Sequence, residues 1–175
     1  MLAELNDLEI WGTDIWNAYL ESYTKEKVVL RSGLEFSELE GHLLVIVKAI
    51  YGLRSSGACW HDWLLDVLSE MRFKPSKANS DIWMREREGY YEYVVVYVDD
   101  ILIASQNPQE IIDWLKKKTL FKLKSTGPIT FHLGCDFFQD DDGTLCLGPK
   151  SYINRMTPQY KTMFGQNPRL STHCH

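Results

Sequence analysis

Apolar residues recur along this chain with two different periods, and the points where the period changes mark its elements. Trp60, Trp63, Leu64, Val67, Leu68 and Met71 fall at i, i+3, i+4, i+7, i+8 and i+11, the spacing of one continuous helical face. At that spacing the tryptophans belong to a core. Residues 43–48 are an unbroken apolar run of strand length and read as a buried strand. Residues 8–15 read as a strand that carries Asp14. A polar link over 21–27 leads to a short strand at 28–31. Residues 32–41 hold Gly33 and three glutamates and read as a loop, and 49–57 is a turn-rich segment.

The second half of the chain reads as more strands than helices. Residues 75–80 end the helix, and 81–87 and 91–98 predict strands, the second turning back into 101–105. Pro108 stands in the first turn of a helix running to about Leu120, with Ile111, Ile112 and Leu115 inward. Residues 129–138 are β-rich. Asp140-Asp141-Asp142-Gly143 is a turn joining them to a strand at 144–147, and 151–164 predicts a last amphipathic helix. This order predicts an α+β fold, a ferredoxin-like split-βαβ arrangement with a central antiparallel sheet and helices on one face.

One hairpin does not suit folding alone. Tyr97-Val98-Asp99-Asp100 lies between the apolar runs 93–96 and 101–104. Asp is a poor strand residue, and adjacent carboxylates repel unless a cation sits between them. A divalent metal site is the expectation, with Asp14 as the third carboxylate. Taken singly, Asp14 is a cap or turn residue as readily as a ligand.

The bulk numbers fit one globular domain: 175 residues, 45% hydrophobic and 25% charged. A formal net charge of −5 argues against a generic basic nucleic-acid binder. The apolar runs are too short to cross a bilayer, and no charged-then-apolar leader opens the chain, so the expectation is a soluble, intracellular protein without a membrane partner. Cys59, Cys135, Cys146 and Cys174 are widely spaced and predict no disulfide framework. The terminal His173-Cys174-His175 has residue types that could hold a metal, and reads as a frayed end.

Four segments carry a resemblance. Asp14-Ile15-Trp16-Asn17-Ala18-Tyr19-Leu20 resembles D-x-x-N-A-(F/Y)-L, and residues 48–60 resemble K-A-L-Y-G-L-(K/R) followed by a tryptophan. Residues 97–103 match Y-V-D-D-I-L-I. Phe121-Lys122-Leu123-Lys124, Gly127 and Phe131-His132-Leu133-Gly134 resemble a later segment of the same kind. Together, in this order, they resemble the reverse transcriptase palm of Ty1/copia-type LTR retrotransposons.

The resemblance implies RNA-directed DNA polymerase activity: two-metal transfer of nucleotides from dNTPs to a primer 3′ end. Two Mg²⁺ ions, or Mn²⁺ as their substitute, about 3.5–4 Å apart would clamp the attacking and leaving oxygens. It implies that Asp14 and Asp99 ligate both ions with the Ile15 carbonyl assisting, and that Asp100 has a lesser or shared role. Tyr19 would be an aromatic gate against the ribose 2′-hydroxyl, with simple core packing as the alternative. Tyr51 and Gly52 would shape the dNTP pocket, Gly52 because a side chain would block close approach. Arg54 would touch template phosphate or be a solvated surface residue. Tyr97 and Val98 would flank the primer terminus, and Leu133-Gly134 would form a primer-grip hairpin. One of Lys122 and Lys124 could act as general acid, the alternative being a solvated helix end continuing Lys116-Lys117-Lys118.

Trp16 and Cys59 depart from the family's usual residues. The implied partners are RNA or DNA template with primer, dNTPs, and the rest of a Pol polyprotein with integrase and RNase H, in a cytoplasmic virus-like particle. The expected organisation is a partial palm over 1–164, with fingers and thumb largely missing, then a tail over 165–175, and reduced or no activity alone. A catalytically silent nucleic-acid-binding module would instead present aromatic and basic residues at the sheet centre. Another two-metal palm enzyme, such as a nucleotide cyclase, would need a different hairpin signature.

Overall fold

The computed structural model describes residues 2–118, 122–166 and 168. In chain order the first elements are α1 (Leu2–Leu5), β1 (Glu9–Ile15), α2 (Ala18–Glu21), β2 (Tyr23–Arg31), a 3-10 segment (Leu34–Leu39), β3 (Leu43–Lys48) and α3 (Ser56–Glu70). There follow β4 (Lys74–Pro75), β5 (Ile82–Glu86), β6 (Tyr91–Tyr97), β7 (Asp100–Ser105) and α4 (Pro108–Lys118). The last are β8 (Leu123–Pro128), β9 (Phe131–His132), β10 (Cys135–Gln139), β11 (Leu145–Gly148) and α5 (Lys150–Phe164). No helix among the described residues is long and apolar enough to cross a membrane.

Six strands form one antiparallel sheet in the order β4-β5-β6-β7-β1-β8. The first strand in the sequence is thus inserted between β7 and β8, deep in the sheet. That placement brings Asp14 beside a hairpin 85 positions later. Because side chains alternate across a strand, buried Thr13 and Ile15 point to one face and half-buried Asp14 to the other. Thr13 Oγ1 donates to the Lys124 carbonyl (3.2 Å) and lies 2.9 Å from Thr126 Oγ1, which fixes β1 against β8.

The core lies on the face opposite Asp14. Trp60, Leu64 and Leu68 of α3 and Ile111, Ile112 and Leu115 of α4 pack with Ile15, Trp83, Val94, Val96, Ile101 and Ile103 of the sheet. Full burial of each such side chain contributes about 1.5–3 kcal/mol, so this layer holds the sheet rigid behind the acidic face. The helical spacing of α3 is therefore a core face, as the sequence predicts.

An ionic cluster is buried at the other end of β6. Glu92 is 1% exposed and accepts from Arg85 Nε (2.6 Å), Arg87 Nε (2.8 Å) and Ser105 Oγ (2.7 Å). Burial works against the Glu92 carboxylate, but these three hydrogen bonds hold its pKa below the usual value. Arg87 also reaches Glu110 on α4 at 2.9 and 2.8 Å, tying helix to sheet.

Several expectations are corrected. Residues 43–48 form a strand, but β3 pairs only with β2 in a separate two-stranded ribbon, and Leu43, Val45 and Val47 are 73%, 58% and 57% exposed. A continuous apolar run specifies a strand but not what covers it. The polar link over 21–27 is mostly strand, because β2 begins at Tyr23 and bulges opposite β3. Residues 32–41 include a 3-10 segment, and 129–138 are two short strands with a turn between them. Lys124 is a strand residue paired with Asp14, and Lys122 lies just before that strand, so neither is a helix end. The C-terminal limit expected for α4 near Leu120, Phe121 of the fourth motif, and His173-Cys174-His175 lie outside the described residues. Among those described, Cys59, Cys135 and Cys146 are free thiols.

Candidate active site

Three carboxylates meet on the open face of the sheet. Asp14 and Asp100 are direct register partners between β1 and β7, and Asp99 occupies the hairpin tip next to Asp100. Partners directly opposite put their side chains on the same face, where like charges destabilise the pair. Burial, then the charges of Asp99 and Asp100, push the Asp14 carboxyl above its ordinary pKa, while Lys124 pulls the other way. Asp99 is tied to β1 through its backbone: its carbonyl accepts the Ile15 N–H at 2.8 Å. Ile15 itself is fully buried and anchors that end of β1.

The tip is a tight turn with Tyr97 opposite Asp100 and Val98-Asp99 between them. Val98 has φ +56°, a left-handed conformation that costs a β-branched residue roughly 1–2 kcal/mol. The turn is held from below, where Trp60 Nε1 donates to the Val98 carbonyl at 2.8 Å. Tyr97 is 58% exposed.

A second wall comes from α2 and the turn after β3. Asn17 takes a left-handed conformation (φ 57°, ψ 41°), which Asn tolerates, and starts the short helix that carries Tyr19. The Tyr19 and Tyr51 rings stand 4.4 Å apart, tilted by 49°. Burial, then nearby Asp99 and Tyr19, push the Tyr51 hydroxyl above its usual pKa, and a hydrogen bond to Asp99 adds to the shift. The 51–55 turn is closed by Ser56 Oγ donating to the Ile50 carbonyl at 2.6 Å. Gly52 has φ +98°, and a Cβ there would meet nothing within 4 Å. That positive φ favours glycine on conformational grounds. Arg54 is exposed in the same turn.

On the other side, β8 brings Lys124 opposite Asp14. Lys124 Nζ sits 4.0 Å over the Trp16 ring and Lys122 Nζ 5.1 Å, a cation–π platform beside the carboxylates. An open cleft of about 530 Å³ runs from Asp14, Asp100 and Lys124 to Phe131 and His132 of β9. At its far end Leu133 (φ 48°) and Gly134 (φ 85°) form the two-residue turn between β9 and β10. Both positive φ values are those of the tightest hairpin turns.

These groups suit a hard cation: carboxylate oxygens in an electrostatically strained group. Among the described residues no three His, Cys, Asp or Glu side chains are gathered into a ready-made metal cage. Mg²⁺ ordinarily binds one or two carboxylates plus substrate phosphates and water, so a cage is not its signature.

The model of the family described as reverse transcriptase (RNA-dependent DNA polymerase) matches residues 1–170. The chain belongs to the reverse transcriptase family. Its relatives include a transposon Ty5-1 protein of Saccharomyces cerevisiae, 24% identical over 144 residues that cover 80% of this chain and 46% of that protein. The retrovirus-related Pol polyprotein from transposon RE1 of Arabidopsis thaliana is 26% identical over 145 residues, 80% of this chain and 10% of the polyprotein. The transposon Ty1-MR1 Gag-Pol polyprotein of Saccharomyces cerevisiae is 28% identical over 129 residues, 72% of this chain and 7% of the polyprotein. These relatives identify a copia-type retrotransposon reverse transcriptase region, and the chain spans less than half the length of each of them.

Two features of this reverse transcriptase region escaped the sequence reading. Trp60 is a core residue by spacing, and nothing in the periodicity signals that its indole N–H reaches the acidic hairpin. Trp16 reads only as a departure from the motif. Its role as a platform for Lys122 and Lys124 appears once β8 is known to lie beside β1.

Proposed function

We propose that this chain is the palm of an RNA-directed DNA polymerase that adds dNTPs to a primer 3′ end, using divalent cations at Asp14, Asp99 and Asp100. The observation that carries the reading is the cross-strand juxtaposition of Asp14 and Asp100 with Asp99 at the adjoining tip. The ferredoxin-like split-βαβ description fits α3 and α4 packed together on one face of the sheet, with Asp14 and Asp100 at one end of the opposite face. In this reading residues 1–164 form the palm and 165–175 a tail, and the remaining parts of a Pol polyprotein supply much of the grip on template and primer.

Each wall of the site has a task. Asp14 and Asp99 hold the cations, with the Ile15 backbone assisting and Asp100 sharing charge near the primer end. When bound, Mg²⁺ or Mn²⁺ would offset the negative charge that develops on the attacking 3′-oxygen and the leaving pyrophosphate. Tyr19, its ring tilted against that of Tyr51, closes the space under the incoming sugar and excludes a 2′-hydroxyl. Tyr51 and Gly52 border the nucleotide, and Arg54 faces template phosphate. Tyr97 and Val98 flank the primer terminus, and Leu133-Gly134 grips the primer backbone at the end of the cleft. Lys124, opposite Asp14, is the better placed of the two lysines to give a proton to pyrophosphate.

The reading is tested by dTTP incorporation on poly(rA)/oligo(dT) with Mg²⁺, using the chain within its polyprotein. Asp99→Asn removes incorporation, and undiminished activity in that variant would sink the mechanism.

A further inference from the structure

The hairpin that presents Asp99 and Asp100 has an unfavourable backbone at its centre, so something outside the hairpin must hold it. Val98 is β-branched and left-handed at φ +56°. A two-residue turn fixes the twist of both flanking strands through the φ values of its central residues. Relaxation of Val98 to negative φ would therefore move Asp99 as well as Val98. It would also disturb the Asp99 carbonyl, which accepts the Ile15 N–H at 2.8 Å and registers the tip against β1.

Side-chain packing beneath the tip is incomplete. Beneath the tip lies a cavity of about 220 Å³, lined by Tyr19, Gly57, His61, Asp81, Tyr97 and Val98 itself, among others. The direct tether across this space is the 2.8 Å hydrogen bond from Trp60 Nε1 to the Val98 carbonyl. Its donor is rigid. Trp60 is 3% exposed in α3 and lies parallel to Trp63, with ring centroids 5.5 Å apart and planes within 9°. The same helix follows directly from the turn carrying Tyr51 and Gly52, so one element supports both the acidic tip and the nucleotide wall.

We propose that Trp60 is a positioning residue whose indole N–H holds the left-handed Val98 turn and so sets where Asp99 and Asp100 stand. The inference deepens the active-site reading and rests on it only where cation binding is concerned. The apolar bulk of Trp60 belongs to the core, whereas its N–H acts on the site.

The test removes the N–H and keeps the ring. In the full chain, Trp60 is replaced by its sulfur isostere 3-benzothienylalanine, and in parallel Trp60→Phe is made. Leu68→Ala, a cavity in the same helix, serves as a control for simple loss of stability. Hydrogen exchange of the Ile15 amide and Mn²⁺ affinity are both measured. The isostere is expected to exchange Ile15 at least tenfold faster relative to the core amide of Ile103 and to bind Mn²⁺ at least fivefold more weakly, while Leu68→Ala, which loosens the whole core, speeds both amides alike. An unchanged ratio of Ile15 to Ile103 exchange in the isostere overturns the proposal, and so does an equal change of that ratio in Leu68→Ala. If the unmodified chain binds no Mn²⁺, the metal reading fails and the exchange measurement alone decides the role of Trp60.

Discussion

Asp14 and Asp100 face each other as register partners on β1 and β7, on the side of the sheet away from the core. Nothing in the fold gains from this pairing. Burial and the two neighbouring aspartates raise the Asp14 pKa, so its ionised form costs stability in the metal-free protein. A group with a raised folded-state pKa stabilises fully below its unfolded value of 3.8, and that contribution is lost as pH rises through the folded value. Asp14→Asn should therefore raise the melting temperature in EDTA at pH 7, with a gain below about 1 kcal/mol because water screens the site. The gain should vanish near pH 3. A lower melting temperature for the Asn variant at pH 7 would contradict this.

Tyr19 and Tyr51 form the wall that would meet a ribose, with ring centroids 4.4 Å apart. If the ring excludes the 2′-hydroxyl sterically, Tyr19→Ala should lower the preference for dNTP over rNTP at least tenfold, or about 1.4 kcal/mol. Tyr19→Phe should leave the preference within twofold. Single-nucleotide extension with paired dNTP and rNTP titrations measures both, and an Ala variant with intact selectivity removes Tyr19 from this role.

Lys124 pairs with Asp14, whereas Lys122 lies before the strand and further from the Trp16 ring. Proton donation to the leaving group contributes typically 10²–10⁴-fold. Lys124→Ala should therefore slow single-turnover extension by at least tenfold, and Lys122→Ala by clearly less. The reverse ranking would assign the role to Lys122.

Much of this site is legible in the sequence because it is carried by short motifs whose residues stay contiguous in space. The 97–100 tip and Asp14 are of this kind, and their like charge is a signal that needs no fold. What periodicity does not contain is which strands become neighbours. The insertion of β1 between β7 and β8 turns Lys124 from an expected helix-end cation into the residue facing Asp14. The exposed face of β3 escapes for a related reason, since Leu43, Val45 and Val47 look the same in sequence whether or not another layer covers them. Likewise Gly52 is recognisable as a glycine of the motif, and only the backbone adds that its φ is +98°, a value that favours glycine.

Away from the site, Glu92 organises Arg85, Arg87 and Ser105 in the interior. Glu92→Ala should destabilise the chain by about 3–5 kcal/mol, because it leaves Arg85 buried without its carboxylate. Its lowered pKa means that the stabilisation is present above the unfolded value of 4.5 and is lost as pH falls through the folded value. Urea unfolding at pH 7 and pH 3 should show a larger difference between the two proteins at pH 7. Equal stability at pH 7 would contradict the account of this cluster.

At the centre of the proposed function, Asp14, Asp99 and Asp100 hold divalent cations. Titration of the purified chain with Mn²⁺, followed by loss of the free-ion paramagnetic signal, tests it most directly. Saturable binding that weakens at least tenfold in both Asp14→Asn and Asp99→Asn is the predicted result. Binding of equal strength in the parent chain and both variants, or no binding at all, would contradict it.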